Sequence, residues 1–168
     1  GPVAFVSQSG ALMGSLFAAA TDHGVGLSGM VTVGNQADME LCDFLEGFID
    51  DDITTTICLY VEAVKSPRRF AELARRARRE GKRILAVKAG ATEAGTAMAR
   101  SHTASIAGSY TAFETVCAET GIILMDDPDA MIICANILAN NPVAGEGGVG
   151  MAVSTGGGGA VMVDRLSK

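Results

Sequence analysis

Aromatic residues are scarce in this sequence: it contains no tryptophan and only two tyrosines, Tyr60 and Tyr110, among 168 residues. Flavin sites usually stack the ring system on aromatic side chains, so the composition argues against a flavin-binding protein. No apolar run is long enough to cross a bilayer, and no basic segment with a cleavage site is present. We therefore expect a cytoplasmic protein without a membrane partner.

Cysteine is also sparse, and its placement excludes two further kinds of site. Each cysteine stands alone in an apolar run, without a Cys-x-x-Cys pair or a neighbouring histidine (Cys42, Cys58, Cys117 and Cys134). This pattern predicts reduced core cysteines and neither a metal site nor a disulfide. Because the formal net charge is −6, we expect no nucleic-acid partner. The arginine-rich segment 68–79 is then a solvated face or a contact between domains.

Short apolar strands alternate with amphipathic helical segments, which is typical of a parallel sheet covered on both faces. Strands are predicted over residues 3–6, 29–33, 55–61, 83–87 and 122–125, and each is followed by a helix. The second helix is expected to bury Leu41, Phe44, Leu45 and Phe48, and the third to bury Phe70, Leu73, Ala74 and Ala77. Five strands alternating with five helices predict an α/β fold, namely a flavodoxin-like, doubly wound parallel sheet.

The strand-and-helix order starts again near the end of the sequence. Residues 141–148 are rich in Asn, Pro and Gly, as linkers are. Beyond them, 150–153 resembles a strand, 154–159 a turn and 160–166 a helix. We predict one domain over 1–140, a linker over 141–148, and the opening of a second, related domain over 149–168. Both ends of the chain look cut from something longer.

Polar residues follow the predicted strands at one edge of the sheet, where doubly wound folds bind ligands. Ser7–Gly10 follows the first strand, Asn35 and Asp38 follow the second, and Glu62 ends the third. The fourth strand leads into a long predicted loop, 88–108, that carries His102. The sequence therefore predicts a functional site at the carboxyl ends of the strands.

The segment Ser9-Gly10-Ala11 stands where a strand gives way to a helix. Amide groups at a helix start favour an anion such as phosphate, and glycine allows a ligand to approach closely. Taken alone, the segment is better explained as an ordinary serine cap, because Ser-Gly is common at a helix start. It is not a phosphate-binding loop of the Gly-Lys-Ser/Thr type, and it lacks the Gly-x-Gly-x-x-Gly spacing of a dinucleotide site. Residues 154–159 indicate either a second phosphate cradle, at Thr155, Gly156 and Gly157, or a flexible turn.

His102 is one of two histidines, and its small-residue surroundings have no apolar period that would bury it. An imidazole presented in this way can accept and pass on a phosphoryl group, because its nitrogen is nucleophilic near neutral pH. Glu62 ends an apolar strand, where a carboxylate is either solvated or paired with such an imidazole. His23 lies where a helix ends, so we interpret it as structural.

Five segments resemble one known family: VAFVSQSGAL (3–12), VGNQAD (33–38), LYVE (59–62), VKAG (87–90) and SHTASIAG (101–108). They are similar to segments of the NDP-forming acyl-CoA synthetases, relatives of the succinyl-CoA ligase α subunit, and they occur in the same order. The resemblance implies a succinyl-CoA-synthetase-like flavodoxin domain, with the start of a second such domain at 154–159.

The resemblance also implies a reaction and its residues. In the family, acyl-CoA and phosphate give an acyl phosphate, whose phosphoryl group passes to a loop histidine and then to ADP or GDP. His102 would be that histidine and Glu62 the residue that orients it. Ser9, Gly10 and Ala11 would form the helix start that holds the phosphoryl group. CoA, phosphate and Mg-ADP or Mg-ATP are then substrates of the whole enzyme, and no permanently bound cofactor is expected.

Three departures from the family pattern limit this transfer. Ala104 stands where relatives usually have glycine after Ser-His-Thr. Neither the CoA-binding Rossmann domain nor the ATP-grasp domain is recognisable, so both are expected as partner domains or subunits of an oligomeric enzyme. The alternative is a regulatory or ligand-sensing domain of the same fold, for example one fused to an acetyltransferase. His102 and Glu62 together favour the enzyme, while Ala104 favours the sensor.

Overall fold

A computed structural model describes residues 1–102, 109–141, 148 and 150–167, with the backbone alone for 99–102. Five strands form one parallel sheet: β1 (Val3–Ser7), β2 (Leu27–Thr32), β3 (Thr56–Val61), β4 (Arg83–Lys88) and β5 (Ile123–Met125). The helices among the described residues are α1 (Gly10–Asp22), α2 (Leu41–Asp50), α3 (Pro67–Arg79), α4 (Glu93–His102), α5 (Tyr110–Thr120), α6 (Pro128–Asn140) and α7 (Gly156–Leu166). None of the described helices is both long and apolar enough to cross a membrane.

The strand order β2-β1-β3-β4-β5 is that of a flavodoxin-like sheet, as predicted. Helices α1 and α6 pack on one face, and α2, α3 and α5 pack on the other. Residues of β3 alternate between the two cores: Ile57, Leu59 and Val61 face α2 and α3, whereas Cys58 faces α1 and α6. Both faces are apolar because both are covered, which explains the unbroken apolar runs of the strands.

The predicted helix faces hold, with one shift on α2. The stripe of α3 is buried as expected, whereas α2 buries Leu41, Cys42, Leu45 and Ile49 and leaves Phe44 and Phe48 half-buried. Phe48 packs instead on β2, where a Cβ added to Gly29 would lie 2.8 Å from its ring. A glycine in β2 therefore makes room for the Phe48 ring.

The arginines of α3 bind carboxylates of this same domain. Arg69 donates to Asp43 at 2.6 Å and to Glu46 at 2.7 Å, and Arg76 donates to Asp50. The Arg69 guanidinium and the Glu40 backbone amide together hold the pKa of Asp43 below its usual value, the amide contributing most. The arginine-rich segment is thus partly a contact between α2 and α3.

Three expectations about local structure are wrong. Strand β2 begins at Leu27, two residues before the predicted start, and ends at Thr32, one residue before the predicted end. Residues 88–108 are not one long loop, because α4 occupies Glu93–His102. Residues 150–153 form no strand, because a strand needs a hydrogen-bonded neighbour and no described segment pairs with them.

Helix α4 follows from features that a search for an apolar stripe overlooks. Thr92 caps it: its hydroxyl accepts from the Gly95 amide at 3.0 Å, and its carbonyl accepts from the Thr96 amide. Glu93 stands in the first turn, where a carboxylate favours the helix dipole. The segment is also rich in alanine, the strongest helix former. It forms a helix without needing a buried face.

Phe70 of α3 packs against α5 through a contact between two aromatic rings. It is 1% exposed and its ring stacks on Phe113, with ring centres 5.6 Å apart. We expect Phe70→Ala to lower the free energy of unfolding by about 3–5 kcal/mol, measured by urea denaturation. Phe17→Ala is the matched control, since this ring is 55% exposed and its loss should cost less than about 0.5 kcal/mol. Equal losses for the two variants would contradict this account of the core.

Candidate functional site

The carboxyl ends of the three central strands bring the predicted residues to one edge. Strand β1 pairs with β3, and β3 pairs with β4, all in parallel. Ser9 follows the end of β1, Glu62 follows β3, and Lys88 is the last residue of β4. Glu62 therefore lies at the middle of the edge, between the segment that carries Gly10 and the segment that leads to α4.

The start of α1 presents two backbone amides that have no acceptor among the described residues. Ser9 caps the helix: its hydroxyl accepts from the Leu12 amide at 3.3 Å, and its own amide donates to the Ser7 hydroxyl at 3.0 Å. No described residue accepts a hydrogen bond from Gly10 or Ala11, and both are exposed. The segment is thus a serine cap that satisfies one amide and leaves two without an acceptor among the described residues, which is the arrangement that an anion-binding helix start requires.

The described residues give no steric reason for glycine at position 10. A Cβ added there would meet nothing within 4 Å, and its φ is not among the positive ones. The missing side chain leaves open space at the start of α1, beside the two amides. Such space is what a phosphate needs to approach a backbone closely.

Glu62 is half-buried, and its carboxylate has no hydrogen bond or ion pair among the described residues. Its backbone, by contrast, is held firmly. The Glu62 amide donates to the side-chain oxygen of Gln8 at 2.5 Å, and its carbonyl accepts from the Lys88 ammonium at 2.8 Å. A fixed backbone with an unengaged carboxylate suits a residue that acts on a further group.

His102 is the last residue of α4, and only its backbone is described. Helix α4 begins five residues after β4 ends. The Thr96 hydroxyl in its first turn donates a hydrogen bond of 3.0 Å to the carbonyl of Gly90, in the segment between β4 and α4. The position of the imidazole, and with it the predicted pairing with Glu62, lies outside the described part of the chain, as does Ala104. His102 as the nucleophile therefore stays a prediction.

Three buried polar side chains at this edge were not singled out from the sequence. Gln8 is 6% exposed, Gln36 4% and Lys88 6%, and all three bind the backbone at Glu62 or Ala63. In the loop after β2, the sequence instead indicated Asn35 and Asp38, which are exposed. One sign in the sequence indicates that these side chains are buried, namely their place at or just beyond the ends of apolar strands.

Gln36 occupies a backbone conformation that favours glycine, with φ at +55°. Its side-chain oxygen accepts from the Leu41 amide at 2.9 Å, and its carbonyl accepts from the Lys65 ammonium. The amide of the same side chain lies 3.5 Å from the Ala63 carbonyl. These contacts compensate for the left-handed backbone and join the loop after β2 to the end of β3.

The helix start at Thr155 repeats the local geometry of Ser9. The Thr155 hydroxyl accepts from the Gly158 amide at 3.2 Å, as Ser9 accepts from Leu12, and both caps have extended backbones. A Cβ added to Gly156 or Gly157 would meet nothing within 4 Å. Helix α7 begins at Gly156, earlier than the predicted residue 160, because Thr155 caps it.

The remaining predicted features are structural. His23 ends α1, and its backbone amide donates to Ala19. Burial raises the pKa of the thiols of Cys42 and Cys117 to about 12, which keeps them protonated and unreactive. Among the side chains that the structure describes, in residues 1–98, 109–141 and 150–167, no three His, Cys, Asp or Glu residues form a group that could hold a metal ion.

Two curated proteins from one organism are similar in sequence to all or nearly all of this chain. The alpha subunit of ADP-forming acetate–CoA ligase II from Pyrococcus furiosus is 34% identical over 168 residues, which are 100% of this chain and 36% of that protein. The alpha subunit of ligase I from the same organism is 38% identical over 162 residues, 96% of this chain and 35% of that protein. The chain thus spans about a third of these curated relatives.

A solved structure and a family model agree with these relatives. The structure is that of acetyl-coenzyme A synthetase 1 from Ca. Korarchaeum cryptofilum with phosphate and ADP. It aligns with a TM-score of 0.72 and 38% identity over 79% of this chain and 29% of that chain. Residues 1–138 match the model of the succinyl-CoA ligase like flavodoxin domain. This chain therefore belongs to the family of succinyl-CoA ligase-like flavodoxin domains.

Proposed function

We propose that this chain is the phosphohistidine-bearing part of an NDP-forming acyl-CoA synthetase, an acid–thiol ligase. The whole enzyme would convert acyl-CoA, ADP and phosphate reversibly into the free acid, CoA and ATP. The observation that carries the proposal is that two backbone amides and a carboxylate lie at one edge of the sheet and all lack a partner among the described residues. The relatives named above support the same reaction class.

In the proposed step, an imidazole nitrogen of His102 attacks the phosphorus of an acyl phosphate. The bond between phosphorus and the acyl oxygen breaks, and the acid leaves as its carboxylate. The amides of Gly10 and Ala11 bind the phosphoryl oxygens, where the positive end of the α1 dipole stabilises negative charge. The Glu62 carboxylate accepts a hydrogen bond from the second imidazole nitrogen, which fixes the tautomer and stabilises the positive charge formed on the ring.

The same proposal covers the rest of the enzyme. A CoA-binding Rossmann domain and an ATP-grasp domain or subunit would supply acyl phosphate and accept the phosphoryl group, in an oligomer located in the cytoplasm. CoA, phosphate and Mg-ADP or Mg-ATP are substrates, without a permanent cofactor. Within this chain, residues 1–140 are the flavodoxin-like domain and 141–148 the linker. Residues 149–168 begin the second domain, whose Thr155, Gly156 and Gly157 would form the other half of the phosphate cradle.

The test is phosphorylation of the full-length enzyme by ATP labelled in the γ-phosphate, with magnesium. We expect a label that is lost in acid, survives base and maps to His102. A folded enzyme that binds nucleotide but stays unlabelled would overturn the proposal and favour the ligand-sensing alternative.

Gly10→Ala separates phosphate binding from folding. The added methyl meets no protein atom within 4 Å, so stability should be unchanged or slightly raised, while the methyl enters the space above the free amides. We expect the KM for phosphate to rise by about 10-fold or more, equivalent to roughly 1.4 kcal/mol of binding.

Gly14→Ala is the control for this substitution, one turn further along α1. Its Cβ would also meet nothing within 4 Å, but it lies away from the helix start. It should raise stability by about 0.5–1 kcal/mol and leave the KM for phosphate unchanged. If Gly10→Ala behaves as Gly14→Ala does, the helix start binds no phosphate.

A further inference from the structure

Buried polar side chains converge on the two residues that follow β3. Gln8 comes from the loop after β1, Gln36 from the loop after β2, and Lys88 from the end of β4. Together they bind the backbone groups of Glu62 and Ala63. The other buried polar side chains among the described residues are short hydroxyl groups (Ser7, Thr54, Thr56 and Thr120), whereas the three long ones surround one short segment.

The Gln8 side chain forms three hydrogen bonds with the backbone of that segment. Its side-chain amide donates to the Ala63 carbonyl at 2.7 Å, and its side-chain oxygen accepts from the amides of Glu62 and Ala63 at 2.5 and 2.9 Å. Its own backbone amide donates to the Tyr60 carbonyl at 3.2 Å. A glutamine side chain with all these groups satisfied is held in one place, because losing any bond would leave a buried polar group unpaired.

The position of Gln8 in the chain gives this contact a consequence beyond folding. Ser9, Gly10 and Ala11 follow it directly, so the residue that binds the Glu62 backbone also connects the end of β1 to the proposed phosphate cradle. The Gln8 side chain therefore links the Glu62 backbone directly to the segment that begins the proposed cradle.

Lys88 holds the same segment from the other side. Its ammonium donates to the carbonyls of Glu62 and Ala89, both at 2.8 Å, and burial lowers its pKa while the nearby Glu62 carboxylate opposes that shift. A buried lysine bound to carbonyls is a costly way to fill space, and an apolar residue would serve the sheet as well. What lysine adds is a fixed hold on the Glu62 carbonyl and a positive charge near its carboxylate.

We propose that Gln8 and Lys88 are positioning residues that fix the Glu62 carboxylate relative to the amides of Gly10 and Ala11 during phosphoryl transfer. The proposal rests on the function proposed above. According to it, two buried side chains keep the Glu62 carboxylate and the cradle amides aligned on the phosphoryl group. Alignment matters because a displacement of about 1 Å at a reacting centre can cost on the order of 100-fold in rate.

The test is a double-mutant cycle in the full-length enzyme, with the single-turnover rate of His102 phosphorylation as the readout. Gln8→Met and Lys88→Met remove the side-chain bonds to Glu62; methionine matches glutamine in length and is one atom shorter than lysine. We expect each to slow phosphorylation by about 10-fold or more. In a Glu62→Gln background, each should slow it further by less than about 2-fold, because both act through the same carboxylate. The KM for phosphate should stay near the wild-type value, since the cradle amides are untouched.

Two controls separate positioning from simple loss of stability. Ile57→Ala destabilises the opposite end of β3, where the side chain is fully buried, and should lower the melting temperature without slowing phosphorylation below that temperature. Lys88→Met leaves the β1–α1 segment unchanged, so it tests the proposal even if Gln8→Met folds poorly. Rates that fall equally in the presence and absence of the Glu62 carboxylate would overturn the positioning role. An unlabelled wild-type enzyme would overturn the proposed function itself, so the two failures are distinguishable.

Discussion

Replacing His102 with asparagine in the full-length enzyme is expected to abolish the acid-labile label and to lower turnover by about 10⁴-fold or more. The carboxamide nitrogen of asparagine is not nucleophilic, so it cannot accept the phosphoryl group, while the side chain keeps a similar size and polarity. The loss should appear in the rate and not in the KM for phosphate, because Gly10 and Ala11 are unchanged. The measurements are steady-state turnover in both directions and labelling from ATP.

The chain offers a matched control, because it has only one other histidine. His23 is exposed at the end of α1, and the contacts it makes there involve its backbone: its amide donates to Ala19, and its carbonyl accepts from Asn136. His23→Asn should therefore keep both the label and the turnover. An enzyme that loses its label in His23→Asn and keeps it in His102→Asn would reverse the assignment.

The sheet could be predicted from sequence because its physical cause is local. A strand covered on both faces must be apolar along its length, as the segment at Ile57–Val61 is, and α3 must be apolar on one side only. The position of Glu62 followed from the end of such a run. Helix α4 was missed because it rests on alanine content and on the Thr92 cap and not on a stripe.

The side chains around Glu62 could not be predicted, because their partners are backbone groups far along the chain. Gln8 binds the Glu62 amide across 54 residues, and Gln36 and Lys88 reach the same place from two other segments. The local sequence around a glutamine or lysine at a strand end is the same whether its side chain is buried and bound to a distant backbone group or exposed to solvent. Only the parallel pairing of β1, β3 and β4 brings these positions together.

Glu62→Gln should slow phosphorylation of His102 by about 10²–10⁴-fold, by analogy with the loss of the carboxylate that orients a catalytic histidine. Glutamine can still accept a hydrogen bond, but it cannot stabilise the positive charge that forms on the ring, and it can also present its amide and favour the wrong tautomer. Stability should change little, since the carboxylate has no partner among the described residues. Labelling kinetics and the melting temperature measure the two effects separately.

The control for this variant is Glu72→Gln, the same chemical change on the exposed surface of α3, which should leave the labelling rate within about 2-fold of wild type.

The dependence of the labelling rate on pH gives a second comparison between Glu62→Gln and wild type. If Glu62 stabilises the charged form of the ring, its replacement by glutamine should keep the imidazole neutral and nucleophilic to lower pH, so the acid side of the rate profile should move to lower pH than in wild type. An unchanged rate and an unchanged profile would assign Glu62 to the solvated strand end and leave His102 to act without it.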